Sequence, residues 1–289
     1  MPELPEVETI RRQLSEVLVG KELMKIEVLR LNSFWGEPKI LLNSQVESVK
    51  RKAKVIEITF KGKQDMLIIH LKMTGQLVFE ESEKVSLCHK NRVVGGHPTS
   101  DWIKDLYSKH TRVVMYFVDG SRLFFNDMRV FGWIKLVEKK KYENEMRKRV
   151  PDVTEKSFTL EYFAGLFEKT KKAVKLILMD QELIGGVGNI YANDALYLAK
   201  VMPDRIAVSL SKKEIGSLYK AIKNVIRKGI KYGGASAANY VDTNGLGGSY
   251  QDHFLVYKKD GKCCDVCKGK ILKMKIGGRG SFYCPNCQK

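Results

Sequence analysis

The chain has 289 residues and a mass of 33.0 kDa, which is enough for two domains of ordinary size. It carries 51 lysines and arginines against 33 aspartates and glutamates, a net charge of +18, and 44% of its residues are hydrophobic. This composition excludes an intrinsically disordered chain and makes a disulfide framework unnecessary, because each half can bury its own core. The positive excess predicts a polyanionic partner, although a lysine-rich surface without a partner would give the same charge.

The positive charge is spread over the whole chain. The first 150 residues carry 28 basic and 20 acidic side chains, and the remaining residues carry 23 and 13. No hydrophobic run approaches the roughly 20 residues that a membrane-spanning helix needs, and the N-terminal sequence lacks the apolar core of a signal peptide. These features predict an intracellular protein, and they favour nucleic acid over an acidic membrane as the polyanion.

The first half of the chain predicts one helix followed by many strands. Apolar residues at helical spacing from Val7 to Val17 indicate an amphipathic helix that ends at Gly20. From about residue 22 to residue 137 the pattern changes to short alternating strands. Asp119-Gly120 lies between two of them and is a strong signal for a hairpin turn. Strands at this density predict an antiparallel β-sandwich or barrel.

The second half predicts mainly helices. A capping box of Ser211 and Glu214 opens one of them. The stretch 231–249, rich in Gly, Ala and Asn, has no core-forming pattern and predicts a mobile loop. Three further helices are expected around Phe163–Phe167, Val174–Leu183 and Ile190–Lys200.

A boundary between domains is expected near residue 150. Residues 138–149 are densely charged and Val150-Pro151-Asp152 follows them, a composition typical of a linker. The predicted division is an N-terminal domain at 1–137, a linker at 138–156, a helical domain at 157–250 and a cysteine-rich segment at 251–289.

Five of the six cysteines fall between Cys263 and Cys287, and four of them have the spacing of a zinc site. Two pairs, each separated by two residues, aim four thiolates at one ion, which fills a tetrahedral site and leaves no open position for chemistry. The ion would therefore be structural. Two disulfides or unliganded thiols are the alternative, which an intracellular location disfavours. The predicted ligands are Cys264, Cys267, Cys284 and Cys287.

The N-terminus Met1-Pro2-Glu3-Leu4-Pro5-Glu6 has unusual chemistry. Removal of Met1 would make Pro2 a secondary amine, and an α-amine with a reference pKa of about 7.7–8.0 is partly neutral near pH 7. Such an amine can attack a sugar carbon and form an iminium. Glu3 could then donate a proton, and Glu6 could serve as a second carboxylate or as a helix cap. Prolines and acidic residues also commonly open helices, so a purely structural role stays open.

In order along the chain, a series of motifs resembles those of the formamidopyrimidine-DNA glycosylase family, which also includes the endonuclease VIII branch. The start PELPEVET at 2–9 is similar to the formamidopyrimidine branch rather than to the other. The resemblance covers essentially the whole chain. The other matching motifs are RKAK at 51–54, HLKMTG at 70–75, KHTRV at 109–113, DMRVFG at 127–132, DQELIGGVGNIYAND at 180–194 and the finger that ends in CPNCQ.

The resemblance implies a fold class. It is α+β and multidomain, with an N-terminal helix, an antiparallel β-sandwich, a helical domain that contains a helix–two-turn–helix element, and a four-cysteine β-hairpin zinc finger. One structural zinc ion per chain would be the sole cofactor. The expected partner is damaged double-stranded DNA, bound by a monomer in a bacterial-type cytoplasm with the chromosome.

The resemblance assigns catalytic roles to three positions. Pro2 would be the nucleophile that attacks C1′ of the damaged nucleotide, Glu3 the acid that assists base loss, and Lys54 a phosphate contact that supports elimination. The implied activity is that of a bifunctional DNA glycosylase and abasic-site lyase. It would excise oxidised purines, 8-oxoguanine and formamidopyrimidines, through a Schiff base with β- and then δ-elimination.

The resemblance also implies a set of DNA contacts. Base excision requires the nucleotide to leave the stack, at a cost of a few kcal/mol, and an apolar wedge can replace the lost stacking. Met73 and Phe131 would form this wedge while Arg129 bonds the orphaned base. Without the resemblance, core packing in strands explains Met73 and Phe131 equally well. The phosphate contacts would be His70, Lys172, Asn189 and Arg279.

Three of these phosphate contacts have a structural alternative. His70 on an apolar strand would normally be a satisfied buried histidine. Asn189 follows three glycines within residues 185–188, whose free amides would bind a phosphate at a helix start, but a simple helix N-cap is compatible with the same pattern. Arg279 lies at a predicted hairpin tip, where it reaches either a phosphate or solvent.

Departures from the family pattern leave the lesion and opposite-base preferences open. The departures are an insertion at about 84–108 that contains Cys88, His89 and His97, Val130 in place of a basic residue, Asp194 in place of a glutamate, and a divergent sequence at 233–249, the loop that closes over the lesion base in the family.

Two alternatives to purine excision stay open. An endonuclease VIII-like glycosylase would act on oxidised pyrimidines, and the PELPEVET start counts against it. A non-catalytic, zinc-stabilised DNA-binding protein would have lost the activity, and the presence of Pro2, Glu3, Lys54 and Asn189 counts against that.

Overall fold

The computed structural model divides the chain into two compact units. Unit 1 contains residues 1–148 and 232–251, and unit 2 contains residues 149–231 and 252–289. Residues 157–231 of the predicted helical domain and residues 252–289 of the cysteine-rich segment lie together in unit 2, whereas residues 232–251 lie in unit 1. The residues that the structure describes are 1–82, 92–95, 107–147, 150–235 and 248–289, with the backbone alone at 92–95 and 146–147.

Unit 1 opens with helix α1 and continues as strands, as the sequence predicts. Helix α1 (Leu4–Leu18) buries Val7, Ile10 and Leu14, whose spacing indicates the helix. The chain then turns at Gly20, where φ is 87° and glycine is favoured. The strands that follow are β1 (Glu22–Val28), β2 (Phe34–Trp35), β3 (Ser44–Lys52), β4 (Val55–Phe60), β5 (Asp65–His70), β6 (Gly75–Glu80), β7 (Arg92–Gly95), β8 (Thr111–Phe117), β9 (Arg122–Asp127) and β10 (Trp133–Glu138).

The described strands of unit 1 form one hydrogen-bonded sheet in the order β2-β10-β5-β4-β3-β1-β8-β9-β6-β7. The sheet has two five-stranded halves, because β1 pairs with β3 only at Glu22 and Leu23 but with β8 along most of its length. Both halves contribute to one core with α1, for example Ile58 from one half and Phe125 from the other. This arrangement is the predicted β-sandwich, and its strand pairs are antiparallel as predicted except for β2 and β10, which pair in parallel. Asp119-Gly120 turns between β8 and β9, as predicted.

Part of the predicted linker is helical. Helix α2 (Lys139–Arg147) follows β10 directly, and its Tyr142 is buried with Met66 and Ile68. The Tyr142 hydroxyl donates a hydrogen bond to Glu57 Oε1 at 3.0 Å. Tyr142 is the one buried residue among the side chains described at 139–145, and one buried position in a charged stretch gives no periodicity, so the sequence does not indicate this helix.

Unit 2 contains four helices and a β-hairpin among its described residues. The predicted capping box opens helix α6 (Lys212–Lys231), since Ser211 N donates to Glu214 Oε2 at 2.8 Å and Glu214 N donates to Ser211 Oγ at 3.3 Å. Helix α4 (Val174–Met179) ends before Leu183, because the Asp180 carbonyl accepts the Leu183 N–H in a turn. The other elements are α3 (Leu160–Gly165), α5 (Asn189–Ala199), β11 (Leu272–Ile276) and β12 (Arg279–Tyr283).

The longest described helix is α6, with 20 residues that bury one face and expose lysines on the other. Within the described parts of the chain, no helix combines the length and the apolar character that crossing a membrane requires.

Candidate functional site

The predicted catalytic residues Pro2 and Glu3 lie at the start of α1. Glu3 is the N-cap residue of the helix and only 4% of its surface is exposed. Glu3 and Glu6 form a capping box, in which Glu6 Oε2 accepts a hydrogen bond from Glu3 N at 2.8 Å. Pro2 is half-buried immediately before this cap. A buried carboxylate is therefore one residue away from the amine that removal of Met1 would expose.

Glu6 also contacts the stem of the predicted loop at 233–249. Its Oε1 atom accepts a hydrogen bond from Ala235 N at 2.7 Å. A Cβ atom added to Gly234 would lie 2.8 Å from the Glu6 side chain, so this close approach requires glycine. Tyr250 N donates to Gly234 O at 3.0 Å and pairs the two ends of the loop. Residues 236–247, the body of that loop, lie outside the described residues, as do Cys88, His89 and His97 of the insertion.

Lys54 lies in the two-residue turn between β3 and β4. Only 4% of its surface is exposed, and both strands pack against α1, the helix that follows Pro2. Ala53 before it has a φ of 51°, in the left-handed region that favours glycine. The turn therefore holds a buried cation at a fixed position next to the strands that pack on α1.

His70 ends β5 and is a neutral hydrogen-bond donor. Its Nδ1 atom accepts a hydrogen bond from Lys72 N at 2.9 Å, which places the ring proton on Nε2. Burial, together with the positive charges of Lys72 and Lys54, lowers the pKa of His70 to about 3. The ring packs on Trp133 with 5.5 Å between centroids. The structure therefore leaves the Nε2–H group as the atom that can donate to a phosphate oxygen without carrying a charge.

The low pKa of His70 predicts a pH-dependent contribution to stability. Unfolded histidine has a pKa near 6.5, so between about pH 3 and 6.5 the unfolded chain binds one more proton than the folded chain. The free energy of unfolding therefore rises with pH in this window, by at most about 1.4 kcal/mol per pH unit, and the contribution is lost as the pH falls towards 3. The variant His70→Asn keeps an acceptor for Lys72 N, and we expect its stability to rise less between about pH 5 and pH 6.5.

Urea unfolding followed by tryptophan fluorescence measures this difference, because all three tryptophans of the sequence lie within the first 148 residues and report on unit 1. An equal rise with pH in the variant and in the wild type would contradict a neutral His70.

The segment Asp127–Gly132 is shaped by one buried carboxylate. Asp127 Oδ1 accepts hydrogen bonds from the Thr74 hydroxyl and from Arg129 N, the latter at 3.2 Å, and Oδ2 accepts from Gly132 N at 2.6 Å. Arg112, in the KHTRV motif, donates from Nε to the Asp127 carbonyl at 2.8 Å. The Asp127 side chain is completely buried. These bonds hold the backbone on both sides of Arg129.

This segment exposes Arg129 and Phe131. Phe131 has 52% of its surface exposed, and the Arg129 guanidinium lies 5.0 Å from the centre of its ring. Core packing is therefore the wrong explanation for Phe131. Met73, between β5 and β6, is half-buried. An exposed aromatic ring can take the place of a base in the stack, and a cation beside it can donate a hydrogen bond to the base opposite. Val130 between them has a φ of 55°, which is strained for a β-branched residue.

In unit 2, the Asn189 side chain bonds to the backbone of Gly280, the residue that follows Arg279. Asn189 is the first residue of α5 and Gly188 is the N-cap, so the N-cap alternative for Asn189 is wrong. Asn189 Nδ2 donates to Gly280 O at 3.2 Å, and Nζ of the buried Lys175 donates to the same oxygen at 2.9 Å. Gly280 follows the exposed Arg279. Helices α4 and α5 therefore hold the strand that carries Arg279.

Two of the glycine amides expected to be free before α5 are already bonded. Gly185 N donates to Pro151 O at 3.0 Å, and Gly186 N donates to Gln181 Oε1 at 3.1 Å. Gln181 Nε2 also donates to Val187 O at 2.6 Å. The expectation of free amides at these two positions is wrong, because the turn between α4 and α5 uses them to hold its own shape.

Lys172 and Arg279 are accessible cations of unit 2. Arg279 follows a Gly277-Gly278 turn with φ values of 54° and 75°, which suit a tight two-residue hairpin. A Cβ atom on Gly277 would lie 2.5 Å from Leu176 Cδ2, so the hairpin tip packs closely on α4. The Lys172 side chain is 62% exposed, with Nζ 3.9 Å from Asp180 Oδ2. Accessible cations of this kind suit phosphate contacts.

The four predicted zinc ligands form one cluster. The Sγ atoms of Cys264, Cys267, Cys284 and Cys287 lie within 4.8 Å of one another, and all four thiols are free. Four sulfurs bound to zinc at about 2.3 Å in a tetrahedron are about 3.8 Å apart, so the donor set fits the ion. The disulfide alternative is wrong, and Cys263 is exposed outside the cluster. The finger holds one structural zinc ion.

Tyr197 on α5 supports one of these ligands. Its hydroxyl oxygen is 3.1 Å from Cys264 Sγ. Burial opposes ionisation of Cys264, but hydrogen bonds from the Cys267 backbone, the Tyr197 hydroxyl and the Val266 backbone outweigh it and lower the pKa of Cys264 to about 6. Tyr197 therefore favours the thiolate that binds the metal.

Removal of the Tyr197 hydroxyl is expected to weaken zinc binding. The variant Tyr197→Phe loses a hydrogen bond to the thiolate but keeps the ring, and we expect about a tenfold lower zinc affinity. Competition with a colorimetric chelator measures the affinity, with Tyr283→Phe on β12 as the matched control. Equal affinities for the two variants would contradict a supporting role for Tyr197.

Several residues that shape the site were missed by reasoning from the sequence. All of them form side-chain hydrogen bonds, most of them to residues far away in the chain, and all of them lie inside the motifs that resemble the family. Asn193, for example, accepts the Phe282 N–H at 2.7 Å, and Asp194 accepts the Val256 N–H at 3.1 Å. Membership of a motif is therefore the signal that could have found them. The missed residues are Glu8, Arg51, Asp127, Gln181 and Asn193, whereas Asp194 is named in the sequence only as a departure from the family pattern.

Comparison with known families places these features in one class, the DNA glycosylases that contain a helix–two-turn–helix domain and a zinc finger. The profile described as the formamidopyrimidine-DNA glycosylase N-terminal domain matches residues 1–134, the H2TH domain of the same enzymes matches 150–240, and the zinc finger found in FPG and IleRS matches 261–289. The chain belongs to the formamidopyrimidine-DNA glycosylase family.

Relatives of the same name cover the whole chain. The formamidopyrimidine-DNA glycosylase of Pelotomaculum thermopropionicum is 34% identical over 302 residues, covering 100% of this chain and 99% of its own length. That of Carboxydothermus hydrogenoformans is 36% identical over 301 residues, covering 100% of both chains. The Lactococcus lactis Fpg bound to DNA with an abasic site has a TM-score of 0.85, 30% identity and 99% coverage of both chains. The predicted fold class is confirmed, and the chain is a DNA glycosylase that acts on damaged DNA.

Proposed function

We propose that this chain is a bifunctional glycosylase and abasic-site lyase that removes oxidised purines, 8-oxoguanine and formamidopyrimidines, from duplex DNA. The observation that carries the proposal is the position of Pro2 beside the buried Glu3 carboxylate at the start of α1. Removal of Met1 makes Pro2 a secondary amine that is partly neutral near pH 7. The Lactococcus lactis Fpg bound to DNA with N7-benzyl-Fapy-dG, at a TM-score of 0.85 and 30% identity, supports a purine lesion.

The proposed reaction uses the Pro2 nitrogen throughout. It attacks C1′ as the bond to the base breaks, and Glu3 supplies the proton for the departing base. The sugar ring opens to an iminium between Pro2 and C1′. Loss of a proton from C2′ then expels the 3′ phosphate, and loss of a proton from C4′ expels the 5′ phosphate. The iminium accepts the electron pair in both eliminations, so no soluble cofactor is required.

The proposed DNA contacts come from both units. In unit 1, Lys54 and the Nε2–H group of His70 bind phosphates near the lesion, while Phe131 and Arg129 fill the gap in the duplex with Met73. In unit 2, the phosphate contacts are Lys172, Asn189 and Arg279. We propose that one chain binds one duplex as a monomer, in the cytoplasm with the chromosome.

A second candidate is excision of oxidised pyrimidines. It is favoured by the complex of wild-type Lactococcus lactis Fpg with DNA that contains an oxidised pyrimidine, which has a TM-score of 0.84 and 30% identity to this chain. The PELPEVET start counts against it as the main activity. The two candidates differ only in the base, so they require a direct comparison of lesions.

Borohydride trapping tests the proposal. Borohydride reduces an iminium to a stable amine, so the wild-type protein is expected to form a covalent adduct with a duplex that contains 8-oxoguanine, and to form it more slowly with an oxidised pyrimidine. Faster trapping with the pyrimidine would favour the second candidate. If neither duplex were trapped, the lyase mechanism would be refuted and a non-catalytic DNA-binding protein would be the better description.

A further inference from the structure

Glu8 connects α1 to a neighbouring strand through a buried arginine. Its carboxylate accepts hydrogen bonds from Arg11 at 2.7 Å and from Arg12 at 3.0 Å, both on the same helix. It also accepts one from Arg51 Nε at 3.0 Å, and Arg51 belongs to β3. The Arg51 side chain is 7% exposed, whereas that of Arg12 is 56% exposed. Burial opposes ionisation of Glu8, yet its three arginine partners hold its pKa below the usual range.

Arg51 makes a second bond from the same guanidinium. Its Nη1 atom donates to the carbonyl oxygen of Ala53 at 2.8 Å. Ala53 occupies the left-handed region, with a φ of 51°, in the two-residue turn between Lys52 and Val55. Alanine resists this conformation because of its Cβ atom, so neighbouring contacts must hold it. The planar guanidinium, with its donors at fixed angles, joins a helix to this carbonyl in one geometry.

We propose that Glu8 and Arg51 are positioning residues that place Lys54 relative to the catalytic N-terminus. The inference rests on the proposed function, in which Lys54 binds a phosphate next to the sugar that Pro2 attacks. Lys54 directly follows Ala53, and α1 starts two residues after Pro2. The path Glu8–Arg51–Ala53 therefore connects the helix that carries the nucleophile to the turn that carries the phosphate contact.

An ordinary structural ion pair predicts a different result from a positioning pair. If Glu8 and Arg51 only stabilise unit 1, their replacement lowers the unfolding temperature and leaves the folded enzyme with normal rates and normal DNA binding. If they position Lys54, the folded variant loses one effective phosphate contact. The slope of log affinity against log salt then falls by about one, which is the change expected when one phosphate contact is lost.

The test compares Arg51→Lys and Glu8→Gln with wild type, on a duplex that contains a preformed abasic site. Arg51→Lys keeps the charge but cannot bond Glu8 and the Ala53 carbonyl together at these angles. We expect single-turnover strand cleavage to fall at least about tenfold for both variants, and their salt slope to match that of Lys54→Gln. Arg12→Lys changes an exposed partner of the same carboxylate and is the matched control with wild-type rates.

Glycine at position 53 provides a rescue experiment. Glycine adopts a positive φ without the Cβ penalty, so Ala53→Gly in the Arg51→Lys background is expected to recover at least part of the lost rate. A salt slope equal to that of wild type, or no recovery by glycine, would overturn the positioning role. Failure of the wild-type enzyme to cleave or to be trapped would instead refute the proposed function, so the two failures are distinguishable.

Discussion

The Pro2→Gly variant is expected to lose strand cleavage and borohydride trapping by at least about a thousandfold, the scale on which enzymes lose activity with their nucleophile. A proline secondary amine gives a permanently charged iminium, whereas the imine of a primary amine must first be protonated. The proline ring also prevents rotation about the N–Cα bond and so limits the directions in which the nitrogen points. Glycine removes both properties while retaining an α-amine. Single-turnover cleavage of an 8-oxoguanine duplex measures the effect.

Two controls separate a chemical loss from a structural one. The variant should bind an uncleavable abasic-site duplex with nearly the affinity of wild type, because the proposed phosphate contacts are elsewhere. Pro38→Gly changes a proline at the start of a 3₁₀ turn of the same unit and is expected to cleave normally. Cleavage by Pro2→Gly at the rate of Pro38→Gly would show that Pro2 is not the nucleophile.

The parts of the fold that the sequence predicts are those set by local signals. The helical spacing of Val7, Ile10 and Leu14, the Asp119-Gly120 turn and the Ser211 capping box each involve residues a few positions apart, and the structure shows all three. The cysteine spacing predicts the metal cluster for the same reason, because each pair of ligands comes from one tight turn.

The parts that the sequence does not predict depend on distant partners. Arg51 finds Glu8 across 43 positions, Arg129 N finds Thr74 across 55, and Asn189 finds Gly280 across 91. No periodicity or local preference encodes such pairs, since they form only when the strands and helices are in place. The motifs indicate that these residues matter, but only the structure shows that some of them bond to protein backbone.

Replacement of Asp127 is expected to give the largest loss of stability among the site residues of unit 1. Asp127→Ala leaves the buried Thr74 hydroxyl and the Gly132 N–H without their acceptor, and it removes one of the two acceptors of the Arg129 N–H, the other being the Thr74 hydroxyl oxygen. Buried donors without a partner cost about 1–3 kcal/mol each, so for these two donors we expect the free energy of unfolding to fall by about 2–6 kcal/mol. Urea unfolding followed by tryptophan fluorescence measures this value for unit 1.

Asp127→Asn tests whether both carboxylate oxygens are required. An amide has one acceptor oxygen, so its NH₂ group must face either the Gly132 N–H or the pair formed by Thr74 and Arg129 N. We therefore expect Asp127→Asn to lower the free energy of unfolding almost as much as Asp127→Ala. We also expect this variant to lose cleavage, because the backbone around Arg129 is no longer held. Asp119→Asn, at the exposed turn between β8 and β9, is the matched control and should cost less than about 1 kcal/mol. A stable, active Asp127→Asn enzyme would contradict the requirement for two acceptor oxygens at this position.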